Sequence, residues 1–137
     1  ATPLIFKNGN TSSFQLLSFA GALMNFSMDV GNSIVYRELV GGTKEVLLTD
    51  RAANGSVTIE APTLAQKDYF AAALTDTSLG NITVTHGTAA GNIVRVTSTK
   101  VDIGDVAYGE ADGVTMLEIP YTLVPSSAND ELSIVFT

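Results

Sequence analysis

Residues 54–75, NGSVTIEAPTLAQKDYFAAALT, hold both kinds of local order in this chain. In the first half Val57, Ile59 and Ala61 alternate with Ser56, Thr58 and Glu60. A period of two places alternate side chains on opposite faces of a strand, so one face is buried and the other wet. Asn54-Gly55 reads as the tight turn that opens this strand. After Pro62 the pattern changes, and residues 63–75 predict the one helix of the chain. Thr63 and Gln66 have capping-box spacing, the alanines favour helix, and Phe70 and Leu74, four apart, would share its core-facing side. Leu79-Gly80 closes this segment.

Outward from this stretch, short apolar runs alternate with turn residues. Residues 3–7 read as an edge strand, with Pro3 at its start. The apolar run 14–28 is split into two strands at Gly21, and Asp29-Val30-Gly31-Asn32 turns the chain. Residues 33–39 and 43–49 form a hairpin about Gly41-Gly42, since paired glycines accept the positive φ of a tight turn. Past the helix, strands are expected at 81–86, 92–98 and 99–108, the last broken at Gly104. Residues 87–91 and 109–113 read as loops. In the run 114–123, Leu117, Ile119, Tyr121 and Leu123 share a face, and Pro120 opposite them marks an edge or a bulge. A loop at 125–129 leads to a final strand over 131–137. Eight to ten strands and one helix predict a mainly β protein, an antiparallel sandwich or barrel with a flanking helix, in a single domain over residues 1–137.

Composition narrows the chemistry. Of 137 residues 45% are hydrophobic and 15% charged, enough apolar matter for a core and too little charge for a disordered chain. A surface so poor in charge must be covered by Thr, Ser, Asn and Gly, or by partners. The net charge is −7, and the seven basic residues are scattered singly, leaving no cluster to hold phosphates. With no cysteine, neither a disulfide framework nor a thiolate zinc site can form. The start, ATPLIF, lacks a methionine, as expected of processing or of a longer parent chain. No signal peptide is read there, and no apolar stretch of ~18 residues would span a membrane. The sequons at Asn10, Asn25, Asn54 and Asn81 are what chance gives in a Thr-rich chain.

No catalytic constellation stands out, and the chain reads as a non-enzyme without cofactor. His86, the sole histidine, lies at strand spacing from Ile82 and Val84, with no serine elbow or cysteine for a triad, and reads as a structural or interface residue. Asp102, Asp105, Glu110 and Asp112 offer hard oxygens, but without the loop pattern of a calcium hand they read as a solvated acidic loop or an interface. A glycosidase carboxylate pair would lack aromatic sugar platforms, as there is no Trp. The glycines spell no phosphate loop. The four tyrosines, Tyr36, Tyr69, Tyr108 and Tyr121, suit either sheet positions or interface anchors.

Two long stretches carry a resemblance: NSIVYRELVGGTKEVLLTDRAANGSVTIEAPTLAQKDYFAAA (32–73) and VTHGTAAGNIVRVTSTKVDIGDVAYGEADGVTMLEIPYTLVPSSANDEL (84–132). The chain resembles the major tail proteins of long-tailed bacteriophages and prophages over roughly residues 25–137, in the GSVTIEAPT strand running into the helix, the HGTAAGNIV hairpin, the YGEADG turn and the SSANDEL segment. The resemblance implies two packed antiparallel sheets with a helix alongside. It implies a virion protein, assembled in the bacterial host cytoplasm, whose six copies form a ring. Stacked rings make the tube through which DNA is ejected. The partners implied are further copies and other tail proteins, with DNA passing through the lumen without tight binding. An acidic lumen fits, and Glu60 and Glu118, on wet strand faces, are the candidates to line it. The long stacking loop of such subunits is missing here unless residues 41–55 form an extended hairpin. Related rings, a tail terminator or a type VI secretion tube protein, share the fold. A head-decoration or adhesin-like sandwich binding through loops 87–91 and 109–113 is the alternative.

Overall fold

The computed structural model describes residues 4–75 and 79–137. Ten strands and one short helix follow in the order β1 (Thr11–Leu16), β2 (Leu23–Asp29), β3 (Asn32–Glu38), β4 (Lys44–Arg51), β5 (Asn54–Glu60), α1 (Tyr69–Ala73), β6 (Gly80–His86), β7 (Val94–Ile103), β8 (Ala107–Ala111), β9 (Val114–Leu123) and β10 (Ser133–Phe136). Every pairing between them is antiparallel.

Eight strands form one hydrogen-bonded network in the order β1-β6-β7-β9-β5-β2, with β10 added to β7 and β8 added to β9. It divides into two halves, β1-β6-β7-β10 and β2-β5-β9-β8, that meet where Val101–Ile103 of β7 pair with Tyr121–Leu123 of β9. The corner has a cause in the chain. Gly80 pairs with Val101 but Ile82 with Ser98, so β7 carries one extra residue there. Such a bulge bends a strand and reverses which side chains face inward. Ser98 is buried before it, Val101 and Ile103 after it, and Ser98 Oγ ties the bulge by donating to the Lys100 carbonyl at 3.1 Å. One strand thus serves both halves.

The inner faces enclose a single core. Phe14 and Leu16 of β1, Ile82 and Val84 of β6, Val57 and Ile59 of β5, and Leu117, Ile119, Tyr121 and Leu123 of β9 all belong to it. The alternation anticipated for 114–123 is therefore the wall of this core. Tyr69 of α1 is fully buried beside them and donates from its hydroxyl to the Leu16 carbonyl at 3.1 Å.

Several sequence expectations are corrected. The helix spans Tyr69–Ala73, not 63–75. Residues 63–67 make a separate turn, in which the Thr63 carbonyl accepts from the Gln66 and Lys67 amides and Gln66 Oε1 accepts from the Thr63 amide at 3.0 Å. Asp68 is extended and caps the Ala71 amide with its carboxylate at 2.9 Å, so the helix starts anew after it. In consequence Tyr69 faces the core and Leu74 lies outside the helix, 87% exposed.

Asn54-Gly55 is not a turn; both residues lie inside β5. Residues 92–98 and 99–108 are not two strands, because the bulge keeps β7 continuous to Ile103. The 109–113 turn is narrower: β8 runs to Ala111, and Asp112-Gly113, at φ 52° and 80°, make the reversal. Residues 4–7 form no strand, only a bend leading to an isolated bridge between Asn8 and Thr11; Pro3 lies outside the described residues. Pro120 sits in a strand paired on both sides. It accepts from the Gly104 amide, so its missing N–H faces the gap between the end of β7 and the start of β8.

Candidate assembly surfaces

The strands β3 and β4 form a separate two-stranded sheet. Their hairpin covers residues 32–51, longer than the 41–55 considered from the sequence, and turns through Gly41 at φ 77°. Every residue of β3 is exposed. Ile34 pairs with Leu48 and Tyr36 with Val46, and directly opposed residues share a face. One face therefore carries an apolar quartet with exposures of 65, 56, 60 and 68% in that order. Toward the tip the same face carries the Glu38–Lys44 pair, and in the turn beyond it Leu39 and Val40 are also exposed, Val40 fully. The ion pairs Arg37–Glu45 and Lys44–Glu38 brace the strands across the ladder. The Lys44 ammonium, and then the Tyr36 hydroxyl, hold the Glu38 carboxyl below the usual carboxylate range. An isolated two-stranded hairpin is marginal in water, and an apolar face on one calls for a partner.

The second surface is the outer face of β2-β5-β9-β8. Cross-strand register places Asp29, Asn54, Thr122 and Asp102 in one row over four strands. Asn25, Thr58, Glu118 and Ala107 form a second row, and Glu60, Met116 and Gly109 a third. Glu60 and Glu118 are exposed and share this face with Asp29, and Asp102 continues the first row onto the end of β7. Asn54 and Thr122 lie between Asp29 and Asp102, and Thr58 and Met116 between Glu60 and Glu118.

The acidic candidates of the 102–112 segment do not gather. Asp102 lies on β7, Asp105 in the connection to β8, Glu110 on β8 and Asp112 in the turn, all exposed. Among the described residues no group of three or more His, Asp or Glu side chains is placed to hold a metal. His86 bridges the N-terminal segment to β6. Its Nε2 lies 3.2 Å from the Leu4 carbonyl, which can only accept, so Nε2 donates and Nδ1 accepts from Thr11 Oγ1 at 3.2 Å. Phe6 stacks on the ring at 5.5 Å. This is a structural clasp. Of the tyrosines, Tyr69 and Tyr121 are buried, and burial pushes the Tyr69 hydroxyl up to about 12 and raises Tyr121 as well. Tyr36 and Tyr108 are exposed.

Sequence reading missed the apolar quartet because alternating Ile, Tyr, Val and Leu look the same over a core as over a surface that awaits a partner. The signal available was the charge pairing Arg37/Glu45 and Glu38/Lys44, which keeps a hairpin in register without a core. Among the described residues no helix is long and apolar enough to cross a membrane.

No family model matches the sequence, and no curated protein sequence matches it either. Solved structures do. The chain is similar over its whole length to 95% of a protein described as the anti-feeding prophage cap, a tube-terminating cap, with a TM-score of 0.70 at 11% identity. It also matches, over 85% of its length and 83% of the other chain, a component of the tail of an empty GTA particle with C6 symmetry, at a TM-score of 0.48 and 18% identity. The first likeness establishes the fold: the mainly antiparallel β architecture is that of the tube-terminating cap.

Proposed function

We propose that the protein is a structural subunit of a phage tail-like particle, assembling into a ring that stacks as part of the tail tube through which DNA leaves. The observation that carries this reading is the free hairpin of β3 and β4, whose exposed quartet of Ile34, Tyr36, Val46 and Leu48 has no core to cover. A stacking device of this kind is what the tail-protein resemblance calls for. A second copy supplies the covering surface, and burying such side chains stabilises a contact by roughly 25 cal/mol per Å² of apolar area removed from water.

Ring closure would use the open edges β8 and β2, which end the acidic half-sheet on either side. Joined head to tail between six copies, those sheets give a closed wall without free edges. Its inner surface would carry Asp29, Glu60, Asp102 and Glu118, and like charge keeps a passing polyanion from adhering. The partners are then further copies and other tail proteins, and the setting is a virion assembled in the host cytoplasm.

One observation favours a second reading within the same class. The fold is shared end to end with a tube-terminating cap, and the second reading is a ring that closes a tube rather than extends it. Light scattering and negative-stain imaging of concentrated protein separate the possibilities. Stacked rings are the expected result; single rings that do not stack identify a terminator. A mass of one chain at every concentration overturns both. A reconstruction with Glu60 and Glu118 on the outer wall would overturn the lumen assignment alone.

A further inference from the structure

The hairpin leaves the body through two adjacent crossings. Val30-Gly31 lead in and Ala52-Ala53 lead out, and the Ala52 amide donates to the Gly31 carbonyl at 3.3 Å. Gly31 is left-handed at φ 62°, and a Cβ there would stand 2.4 Å from the Ala52 carbonyl oxygen, so this crossing admits no side chain. Backbone alone would let a two-stranded arm swing about such a base. Beside it lies a cleft of about 510 Å³, between Leu48–Arg51 of the hairpin and Pro125–Asn129 of the following loop.

Across that cleft Arg51 reaches back to the body. Its guanidinium pairs with Glu131 and donates to Asn129 Oδ1 at 3.0 Å. Glu131 is 7% exposed, a carboxylate held almost out of water, and the Arg51 side chain is 27% exposed. Asn129 occupies the left-handed region at φ 64°, uncommon for a residue with a side chain. The loop that presents it is itself fixed, since Asp130 accepts from the Ser126 and Ser127 amides at 2.8 and 3.0 Å and from Ser127 Oγ at 3.0 Å. A buried charge, a left-handed asparagine and a braced loop converge on one arginine at the foot of an otherwise free arm.

We propose that Arg51, Glu131 and Asn129 form a latch that fixes the direction of the β3–β4 hairpin in the single subunit, before any partner is present. Arg51 is a positioning residue: its planar fork sets an orientation that one flexible ammonium would not. Resting on the reading of the hairpin as the stacking element, the latch presents the apolar quartet already aimed, which removes an ordering cost from association.

The chain has no cysteine, so spin labels at Thr43→Cys on the tip and Thr122→Cys on the body report the hairpin directly, at concentrations where subunits are single. A narrow distance distribution is expected. Arg51→Met with Glu131→Leu replaces the pair by apolar groups of similar bulk, a change that preserves folding in comparable buried pairs. It should at least double the width with an unchanged circular dichroism spectrum, and Arg51→Lys should fall between. Equal widths in the parent and the double variant, or a parent already broad, overturn the latch. Because these distances are read on single subunits, failure of the protein to form rings bears on the proposed function and not on the latch. In a second arm the double variant should assemble several-fold more slowly. Equal assembly rates with broadened distances would overturn its role in aiming the hairpin.

Discussion

Gly55 stands opposite Tyr121 on the inner face, where the tyrosine lies across it to donate to the Ser27 carbonyl at 2.7 Å. A Cβ at position 55 would meet that carbonyl oxygen at 2.1 Å and the Tyr121 hydroxyl at 2.6 Å. The glycine is required by a close approach and not by a turn. Its local neighbour Asn54 gives no hint of this, because the ring that needs the space arrives from a strand more than sixty residues later. Gly55→Ala should destabilise the fold by about 1–3 kcal/mol, the range of overpacking in a filled core. Tyr121→Phe alone should cost about 1 kcal/mol for the lost hydrogen bond. If the alanine sterically displaces the ring, most of the tyrosine's contribution is already gone. The double variant should then be less damaging than the sum of the single ones. Strict additivity in urea denaturation would refute this account of the glycine.

Among the elements, the β3–β4 hairpin was the most legible and the least understood from sequence. Its position and both arms could be read from local chemistry, but the reversal falls one residue earlier than the paired glycines suggest. The Leu39 carbonyl accepts from the Gly42 amide, Val40-Gly41 are the central residues, and of the two glycines only Gly41 is left-handed. On the proposed reading its apolar residues face another chain, and no local pattern encodes that. The helix shows the opposite case. Its composition suggested a longer run, but Asp68 could cap as well as continue, and the burial of Tyr69 decided between them. The continuous β7 was equally hidden, because a bulge leaves no mark in the sequence but a change of parity between Ser98 and Val101. Replacing Ile34, Tyr36, Val46 and Leu48 by Thr keeps β propensity while removing exposed apolar area. Because these side chains contribute little to the core, the melting temperature should move by no more than a few degrees, and rings should no longer stack. A large fall in melting temperature would place the quartet in the subunit's own stability and weaken the assembly reading.

At the scale of the whole molecule the question is which edges the subunit leaves open. Closure of the core was foreseeable from alternation in β5 and β9, but the order of strands was not, since it depends on pairings between residues distant in sequence. The two-residue reversal at Asp112-Gly113 makes Ala111 and Val114 a hydrogen-bonded pair, and by alternation Gly109–Met116 and Ala107–Glu118 are too. Tyr108 and Glu110 therefore turn their backbone amides away from β9, toward whatever lies beyond the edge. Glu110→Pro removes one of those outward donors and leaves the β8–β9 ladder intact, so the subunit should fold with nearly its original stability. If β8 joins the β2 edge of the next copy, the missing donor and the bulk of the ring should break that joint, and light scattering should report single chains where the parent forms rings. The hairpin quartet variant fails differently, since it should still close rings that do not stack. Rings of normal size from Glu110→Pro would show that closure uses another edge, β1 or β10, and would remove the acidic half-sheet from the wall of the lumen.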